Sequence, residues 1–132
     1  MRPQVLVVED NPQNLELLCD WLEVEGYEVR TATSLSAARA ALAAEAPHAI
    51  LLDVQLREEN GLELASWLRA QPDLHHIPVI AVTAHAMLTE RARILQAGCN
   101  AWVPKPVDFQ LLREQLRLWL AATGNPGKLG PP

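Results

Sequence analysis

The sequence has few cysteines, little positive charge and no long hydrophobic run, and each shortage argues against a class of protein. Its 2 cysteines, Cys19 and Cys99, form no C-x-x-C pair, so neither a disulfide scaffold nor a zinc site is expected. The 11 Lys and Arg residues are outnumbered by 16 Asp and Glu residues, for a net charge of −5. Without a basic run, direct binding of nucleic acid is not expected. The apolar runs are too short to cross a membrane.

The chain has the length and composition of one soluble domain. It has 132 residues, of which 49% are hydrophobic and 20% are charged, as is typical of a folded globular domain. The chain reaches Glu9 and Asp10 too soon for a secretory signal peptide, so we expect a cytoplasmic protein. Residues 123–132 contain 3 glycines and 3 prolines and no hydrophobic period. We therefore predict one domain over residues 1–122 and a flexible tail over residues 123–132.

Short apolar runs predict the strands of a buried sheet. Residues 5–8, 49–52 and 79–82 are apolar without polar alternation, which is typical of strands covered on both faces in a parallel sheet. Residues 27–31 and 101–103 are weaker candidates for two further strands. The pattern predicts five strands, each followed by a helix.

Between the strands, apolar residues recur at helical spacing. Asn11 and Pro12 form a typical helix start, and Gly26 and Gly98 stand where the first and fourth helices are expected to end. Five strand–helix units with right-handed crossovers predict a doubly wound α/β sandwich. The predicted helical stripes are Leu15, Leu18, Cys19 and Leu22; Leu35, Ala38 and Leu42; Leu64, Ala65 and Leu68; Leu88, Ala92 and Leu95; and Phe109, Leu112, Leu116 and Leu120.

Polar residues follow the predicted strands at the edge where open α/β sheets bind ligands. Glu9 and Asp10 follow the first strand and Asp53 follows the third. Three crowded acids repel one another, and Mg²⁺ would relieve that repulsion while leaving room for phosphate oxygens. Asp53 could then attack phosphorus and form an aspartyl phosphate.

Two further residues at this edge fit a phosphoryl group. Thr83, at the end of the fourth strand, could donate a hydrogen bond, and Lys105, after the fifth, could supply a positive charge. Each residue alone also has a structural interpretation: Asp10 as a helix cap, Thr83 as a turn residue and Lys105 as a solvated side chain. It is their position at consecutive strand ends that favours a common site.

Five motifs in this order resemble those of one family. From about Gln4 to Ala122, the chain is similar to the receiver domains of two-component response regulators. The resemblance implies a flavodoxin-like (βα)5 sandwich whose parallel five-stranded sheet has the order 2-1-3-4-5. The motifs are Val7-Val8-Glu9-Asp10-Asn11, Leu51-Leu52-Asp53-Val54-Gln55-Leu56, Gly61-Leu62-Glu63-Leu64, Val82-Thr83-Ala84-His85-Ala86 and Lys105-Pro106.

The resemblance implies a role for each acid. Asp53 is the implied phosphoacceptor. Asp10 and Asp53 would bind Mg²⁺ directly, together with the backbone carbonyl of Gln55, and Glu9 would act through a water molecule.

The resemblance also implies the phosphate-binding and switch residues. Thr83 and Ala84 would contact the phosphoryl group, and Lys105 would bridge the phosphate and the acids, next to a cis peptide bond at Pro106. Trp102 occupies the aromatic switch position, where the family usually has Tyr, Phe or His.

These residues imply a phosphorylation-dependent switch rather than an enzyme with a separate substrate. The phosphoryl donor would be a histidine kinase or a histidine phosphotransfer protein, and the chain would catalyse at most its own phosphorylation and dephosphorylation. The alternative is a receiver-like binding module that works without phosphorylation. A flavodoxin-like electron carrier would need a glycine- and hydroxyl-rich loop after the first strand, and a phosphatase with an aspartate nucleophile would need a D-x-D pair there; both are absent.

The output surface is predicted from the last helix. Leu111, Leu118 and Trp119 add a second apolar row beside its core stripe, and contiguous exposed apolar area often marks a contact site. We therefore expect helix 4, strand 5 and helix 5 to bind a downstream protein or a second copy of the chain, with no direct contact to nucleic acid or membrane.

Overall fold

The computed structural model describes residues 2–85 and 87–122. These residues alternate between strands and helices as predicted, and a short hairpin is added after the third strand. The strands are β1 (Gln4–Val8), β2 (Glu28–Ala32), β3 (Ala49–Asp53), β4 (Gln55–Leu56), β5 (Glu59–Asn60), β6 (Val79–Thr83) and β7 (Ala101–Pro104). The helices are α1 (Pro12–Val24), α2 (Leu35–Ala44), α3 (Leu62–Arg69), α4 (Leu88–Gln96) and α5 (Phe109–Ala122).

The main sheet is parallel and has the predicted order. Its strands lie in the order β2-β1-β3-β6-β7, which is the predicted 2-1-3-4-5 once the two hairpin strands, β4 and β5, are left out of the count. Because all five strands run the same way, their carboxyl ends meet at one edge. The domain boundary predicted at residue 122 coincides with the last described residue. The tail predicted over residues 123–132 lies outside the described residues.

The strand residues of β1 alternate between two hydrophobic layers. Leu6 and Val8 pack with residues of α2, α3 and α4, whereas Val5 and Val7 pack with residues of α1 and α5. All four side chains have 0% exposure. The absence of polar alternation in this run therefore reflects helices on both faces of the sheet, as expected for a parallel sheet.

The helix ends follow the sequence signals. The side chain of Asn11 accepts a hydrogen bond from the Asn14 N–H at the start of α1, where Pro12 is the first residue. Gly26 and Gly98, with φ of 97° and 109°, follow the ends of α1 and α4. A positive φ strains any residue with a Cβ atom, so glycine is favoured at both positions.

The stripe predicted for α4 is wrong. Leu88 and Leu95 are 78% and 52% exposed and Ala92 is also exposed, whereas Ile94 is fully buried. One buried residue anchors this helix because α4 lies at the edge of the layer and contacts mainly β7. The apolar stripe therefore faces outward.

No helix within the described parts of the chain is long and apolar enough to span a membrane.

Candidate functional site

The three predicted acids meet at the carboxyl edge of the sheet. Glu9 and Asp10 directly follow β1, and Asp53 is the last residue of β3. One carboxylate oxygen from each of the three lies within 4.8 Å of the others. Glu9 and Asp53 are 1% and 3% exposed, and Asp10 is half-buried. The pairing of β1 with β3 thus brings together acids that are more than 40 residues apart in sequence.

Lys105 is the cation of the site. It follows β7, and its Nζ lies 2.8 Å from Oδ1 of Asp53 and 4.0 Å from Oε1 of Glu9. The Lys105–Pro106 peptide bond is cis, as predicted. The same Asp53 oxygen also accepts a hydrogen bond of 2.9 Å from the Gln55 N–H. Two donors on Oδ1 therefore hold the Asp53 carboxylate in one orientation.

The crowding of these acids changes the pKa of Glu9. Burial and the neighbouring Asp53 carboxylate raise the pKa of Glu9 from 4.5 to about 7, against the lowering effects of the Asn11 N–H and Lys105. The Asn11 N–H donates to Oε2 of Glu9 over 3.0 Å. Among the residues that the structure describes, Lys105 alone forms an ion pair with these acids, so the cluster is short of positive charge.

The residues present fit a magnesium ion. Mg²⁺ prefers oxygen ligands, takes one or two carboxylates and keeps several waters. The cluster of Glu9, Asp10 and Asp53 supplies such oxygens, and the half-buried Asp10 leaves one side accessible to solvent. The raised pKa of Glu9 supports the fit, because a divalent cation would offset the same repulsion.

Thr83 and Ala84 lie beside the acids and contact Gln55. Thr83 is the last residue of β6 and is 1% exposed. The Gln55 side chain donates from Nε2 to the Thr83 hydroxyl over 3.0 Å, and its Oε1 accepts the Ala84 N–H over 3.2 Å. The resemblance to receiver domains implied a role for the backbone carbonyl of Gln55 at this site. Its amide could not have been identified from a pattern, because the contact depends on a side-chain conformation.

The segment after β3 is held by contacts that the sequence pattern did not predict. A Cβ atom on Gly61 would lie 2.3 Å from the carbonyl oxygen of Asp53, so this motif glycine is required by close approach. The Arg57 N–H donates to Oδ2 of Asp10. Glu59 accepts the N–H of Leu35 at the start of α2. The segment after Asp53 is therefore attached to both neighbouring loops.

Trp102 lies on β7, beside α4 rather than among the acids. It is half-buried and packs against the core layer that contains Ile94. The guanidinium of Arg91 lies 4.5 Å from the centroid of its ring. Trp102 pairs with Ala81, two residues before Thr83. The predicted switch residue is thus close in register to the end of β6.

The surface formed by α4, β7 and α5 is called the α4–β7–α5 face here. It exposes more apolar residues of α4 than predicted and fewer apolar residues of α5. At about 100° per residue, Leu88 and Leu95 lie on the same side of Ile94 as Arg91, which contacts β7. On α5, Leu118 is 57% exposed, but Leu111 is half-buried against the core. The second apolar row of α5 is therefore interrupted.

Comparisons with known proteins agree with this geometry. Residues 5–117 match the sequence profile of the response regulator receiver domain. The chain is 43% identical to the polar-differentiation response regulator DivK of Brucella ovis over 121 residues, which cover 91% of this chain and 98% of that protein.

Solved structures of receiver domains have the same fold. The receiver domain of a sensor histidine kinase from Pseudomonas aeruginosa PAO1, with magnesium coordinated in its active-site cleft, is 31% identical with a TM-score of 0.84, and the match covers 92% of this chain and 99% of that one. A receiver domain of a signal transduction histidine kinase from Syntrophus aciditrophicus is 32% identical with a TM-score of 0.83, over 91% of each chain. The chain therefore belongs to the response regulator receiver domain family and is a receiver domain of two-component signalling.

Proposed function

We propose that Asp53 accepts a phosphoryl group and that the domain thereby switches the contacts it makes with other proteins. The observation that carries the proposal is the position of Asp53, buried at the end of β3, 2.8 Å from Lys105 and within 4.8 Å of two further carboxylates. A buried carboxylate beside a cation and a set of metal-binding oxygens is suited to attack phosphorus.

The chemical step is a displacement at phosphorus. A carboxylate oxygen of Asp53 forms a bond to phosphorus while the bond between phosphorus and the donor breaks, and the donor leaves with the electron pair. Lys105 contacts Oδ1 of Asp53 and is in position to neutralise charge on the new phosphoryl oxygens. The Gln55 N–H orients the same carboxylate.

Asp10 and Asp53 would hold Mg²⁺ directly, together with the backbone carbonyl of Gln55, and Glu9 would hold it through water. When bound, the ion supplies positive charge to the phosphoryl oxygens. The support for this assignment is the donor set itself, because three carboxylates with one lysine leave unbalanced negative charge.

The switch would run from Thr83 to the α4–β7–α5 face. The hydroxyl of Thr83 and the N–H of Ala84 would contact phosphoryl oxygens. Trp102, which lies between Thr83 and α4, would couple the movement of these two residues to the α4–β7–α5 face. A phosphoryl group that contacts one arrangement of these residues better than another shifts the population toward it.

The proposed partners are a histidine kinase or a histidine phosphotransfer protein as donor, and a downstream protein or a second copy of the chain at the α4–β7–α5 face. A donor must cover the mouth of the site, and a groove of about 240 Å³ is present there beside Lys105. The groove is lined by Leu17, Pro106 and Val107. Leu17 is 53% exposed. We place the protein in the cytoplasm and assign it no enzymatic activity beyond its own phosphorylation and dephosphorylation.

Labelling with acetyl phosphate tests the proposal. In the presence of Mg²⁺, we expect the intact mass to increase by one phosphoryl group, and Asp53→Asn to abolish the increase. Asp73→Asn, an exposed acid before β6, is the matched control and should be labelled like the parent. Equal labelling of Asp53→Asn would overturn the assignment, and no labelling of the parent would favour the phosphorylation-independent binding module.

A further inference from the structure

The side-chain amide of Gln55 contacts both groups that the proposed function assigns to the phosphoryl oxygens. Its Nε2 donates to Oγ1 of Thr83 over 3.0 Å, and its Oε1 accepts the N–H of Ala84 over 3.2 Å. One planar amide thus bridges β4 and the end of β6. Both contacts are of ordinary hydrogen-bond length.

The Thr83 hydroxyl also contacts the backbone of His85, two residues later in the chain. Its oxygen also accepts the His85 N–H over 3.0 Å, and the hydroxyl lies 3.3 Å from the His85 carbonyl oxygen, to which it donates. With the Gln55 amide, this oxygen accepts two hydrogen bonds and donates one, which is the full capacity of a hydroxyl. Thr83 is therefore held away from new partners, at 1% exposure.

A phosphoryl group on Asp53 can contact Thr83 and Ala84 only after these hydrogen bonds are exchanged. The Ala84 N–H must leave Oε1 of Gln55, and the Thr83 hydroxyl must turn from the His85 carbonyl. Hydrogen bonds to a charged phosphoryl oxygen are stronger than those to a neutral amide, so the exchange is favourable, but its net gain is reduced by the contacts that are lost.

We propose that the Gln55 side chain is a positioning residue that competes with the phosphoryl group for the Ala84 N–H and, by donating to the Thr83 oxygen, favours the arrangement in which the Thr83 hydroxyl donates to the His85 carbonyl. It holds the segment after β6 in the unphosphorylated arrangement and so sets the threshold of the switch. This inference rests on the proposed phosphorylation of Asp53. The side chain can be tested separately from the backbone, because the Gln55 N–H that orients Asp53 remains in any variant other than proline.

The variant Gln55→Met tests the competition. Methionine has nearly the length and volume of glutamine but cannot make either hydrogen bond. In the presence of Mg²⁺, we expect Gln55→Met to bind beryllofluoride about tenfold more tightly, the factor that corresponds to about 1.4 kcal/mol. The affinity for Mg²⁺ alone should stay within about twofold of the parent, because the carboxylates are unchanged.

Two further measurements separate competition from a general structural effect. Gln71→Met is the matched control, since Gln71 is also half-buried and donates one hydrogen bond, to the Trp67 carbonyl, at the opposite edge of the sheet. It should leave the beryllofluoride affinity unchanged. In the NMR spectrum of the unphosphorylated protein, the Ala84 amide signal should move in Gln55→Met toward its position in the beryllofluoride-bound parent.

The outcomes distinguish this inference from the proposed function. An unchanged or weaker beryllofluoride affinity in a folded Gln55→Met variant, with the parent still binding beryllofluoride, would overturn the competition while leaving Asp53 as the phosphoacceptor. A parent that neither binds beryllofluoride nor accepts the acetyl phosphate label would overturn both.

Discussion

The guanidinium of Arg91 on α4 lies 4.5 Å from the centroid of the Trp102 ring on β7. A cation over an aromatic face at a partly exposed site contributes about 0.5–1 kcal/mol. We therefore expect Arg91→Gln to lower the free energy of unfolding by about that amount in urea titrations, and to shift the indole N–H signal of Trp102.

Arg93→Gln is the control for this variant. Arg93 lies on the same helix and forms an exposed ion pair of 3.5 Å with Glu90, which is worth little. If Arg91→Gln and Arg93→Gln changed stability equally and left the Trp102 indole signal in place, the contact would have no role in joining α4 to β7.

The α4–β7–α5 face should mediate self-association after phosphorylation. Leu88 and Leu118, 78% and 57% exposed, lie on its two helices. We expect beryllofluoride to raise the weight-average mass of the parent, measured by sedimentation. The double variant Leu88→Glu with Leu118→Glu should prevent this rise, because the added charges oppose burial of the face. Acetyl phosphate labelling should be unaffected.

Val24→Glu controls for added charge on an exposed apolar residue. Val24 is 84% exposed at the end of α1, a helix that is not part of the α4–β7–α5 face. Its variant should associate like the parent. A mass that is the same with and without beryllofluoride in the parent would argue against self-association through this face and leave only a different protein as its partner.

Magnesium should stabilise the folded domain, because only the folded chain brings Asp10 and Asp53 together. At a free Mg²⁺ concentration ten times the dissociation constant, linkage predicts about 1.4 kcal/mol, or a few degrees in Tm. Asp10→Asn should lose most of this gain and be more stable than the parent in a chelator, because one repelling charge is removed. A parent Tm that does not respond to millimolar Mg²⁺ in scanning calorimetry would contradict the proposed metal site.

Without metal, stability should fall as the pH rises through neutrality. The pKa of Glu9 is about 7 in the folded chain, against an ordinary value of 4.5, so the folded state binds the proton more tightly. This contribution to stability is complete below about pH 4.5 and is lost as the pH rises through about 7, with a slope of at most about 1.4 kcal/mol per pH unit.

Urea titrations in a chelator between about pH 5 and pH 8 measure this slope. Glu9→Gln should flatten it, since a neutral amide has no proton to lose in this range. Glu114→Gln, at an exposed position on α5, should retain the slope of the parent. A slope of the same size in Glu9→Gln would assign the pH dependence to other groups.

The strand pattern predicted the site better than it predicted the helix faces. Residues after Val8, Leu52 and Val82 had to meet, because the carboxyl ends of parallel strands lie at one edge. In α4, by contrast, Ile94 and the row of Leu88 and Leu95 are both apolar, and spacing alone does not say which of two rows is buried. Because α4 packs at the edge of the layer, Ile94 is buried and the row of Leu88 and Leu95 is exposed.

The details that depend on side-chain conformation or close approach could not be predicted. The hairpin of β4 and β5 includes the polar residues Glu59 and Asn60, without the alternation that indicates a strand. The Gln55 amide reaches Thr83 only through a particular rotamer. Gly61 was part of a recognised motif, but its reason, the 2.3 Å approach of a Cβ to the Asp53 carbonyl, is visible only in three dimensions.

The most direct test of the account is to locate the phosphoryl group chemically. After incubation with acetyl phosphate and Mg²⁺, reduction with borohydride converts an aspartyl phosphate to homoserine, and mass spectrometry of the digested protein identifies the position. We predict homoserine at position 53, with Asp10 unmodified. Homoserine at position 10 alone, or a stable phosphoryl group on a hydroxyl or histidine side chain with residue 53 still aspartate, would contradict the account.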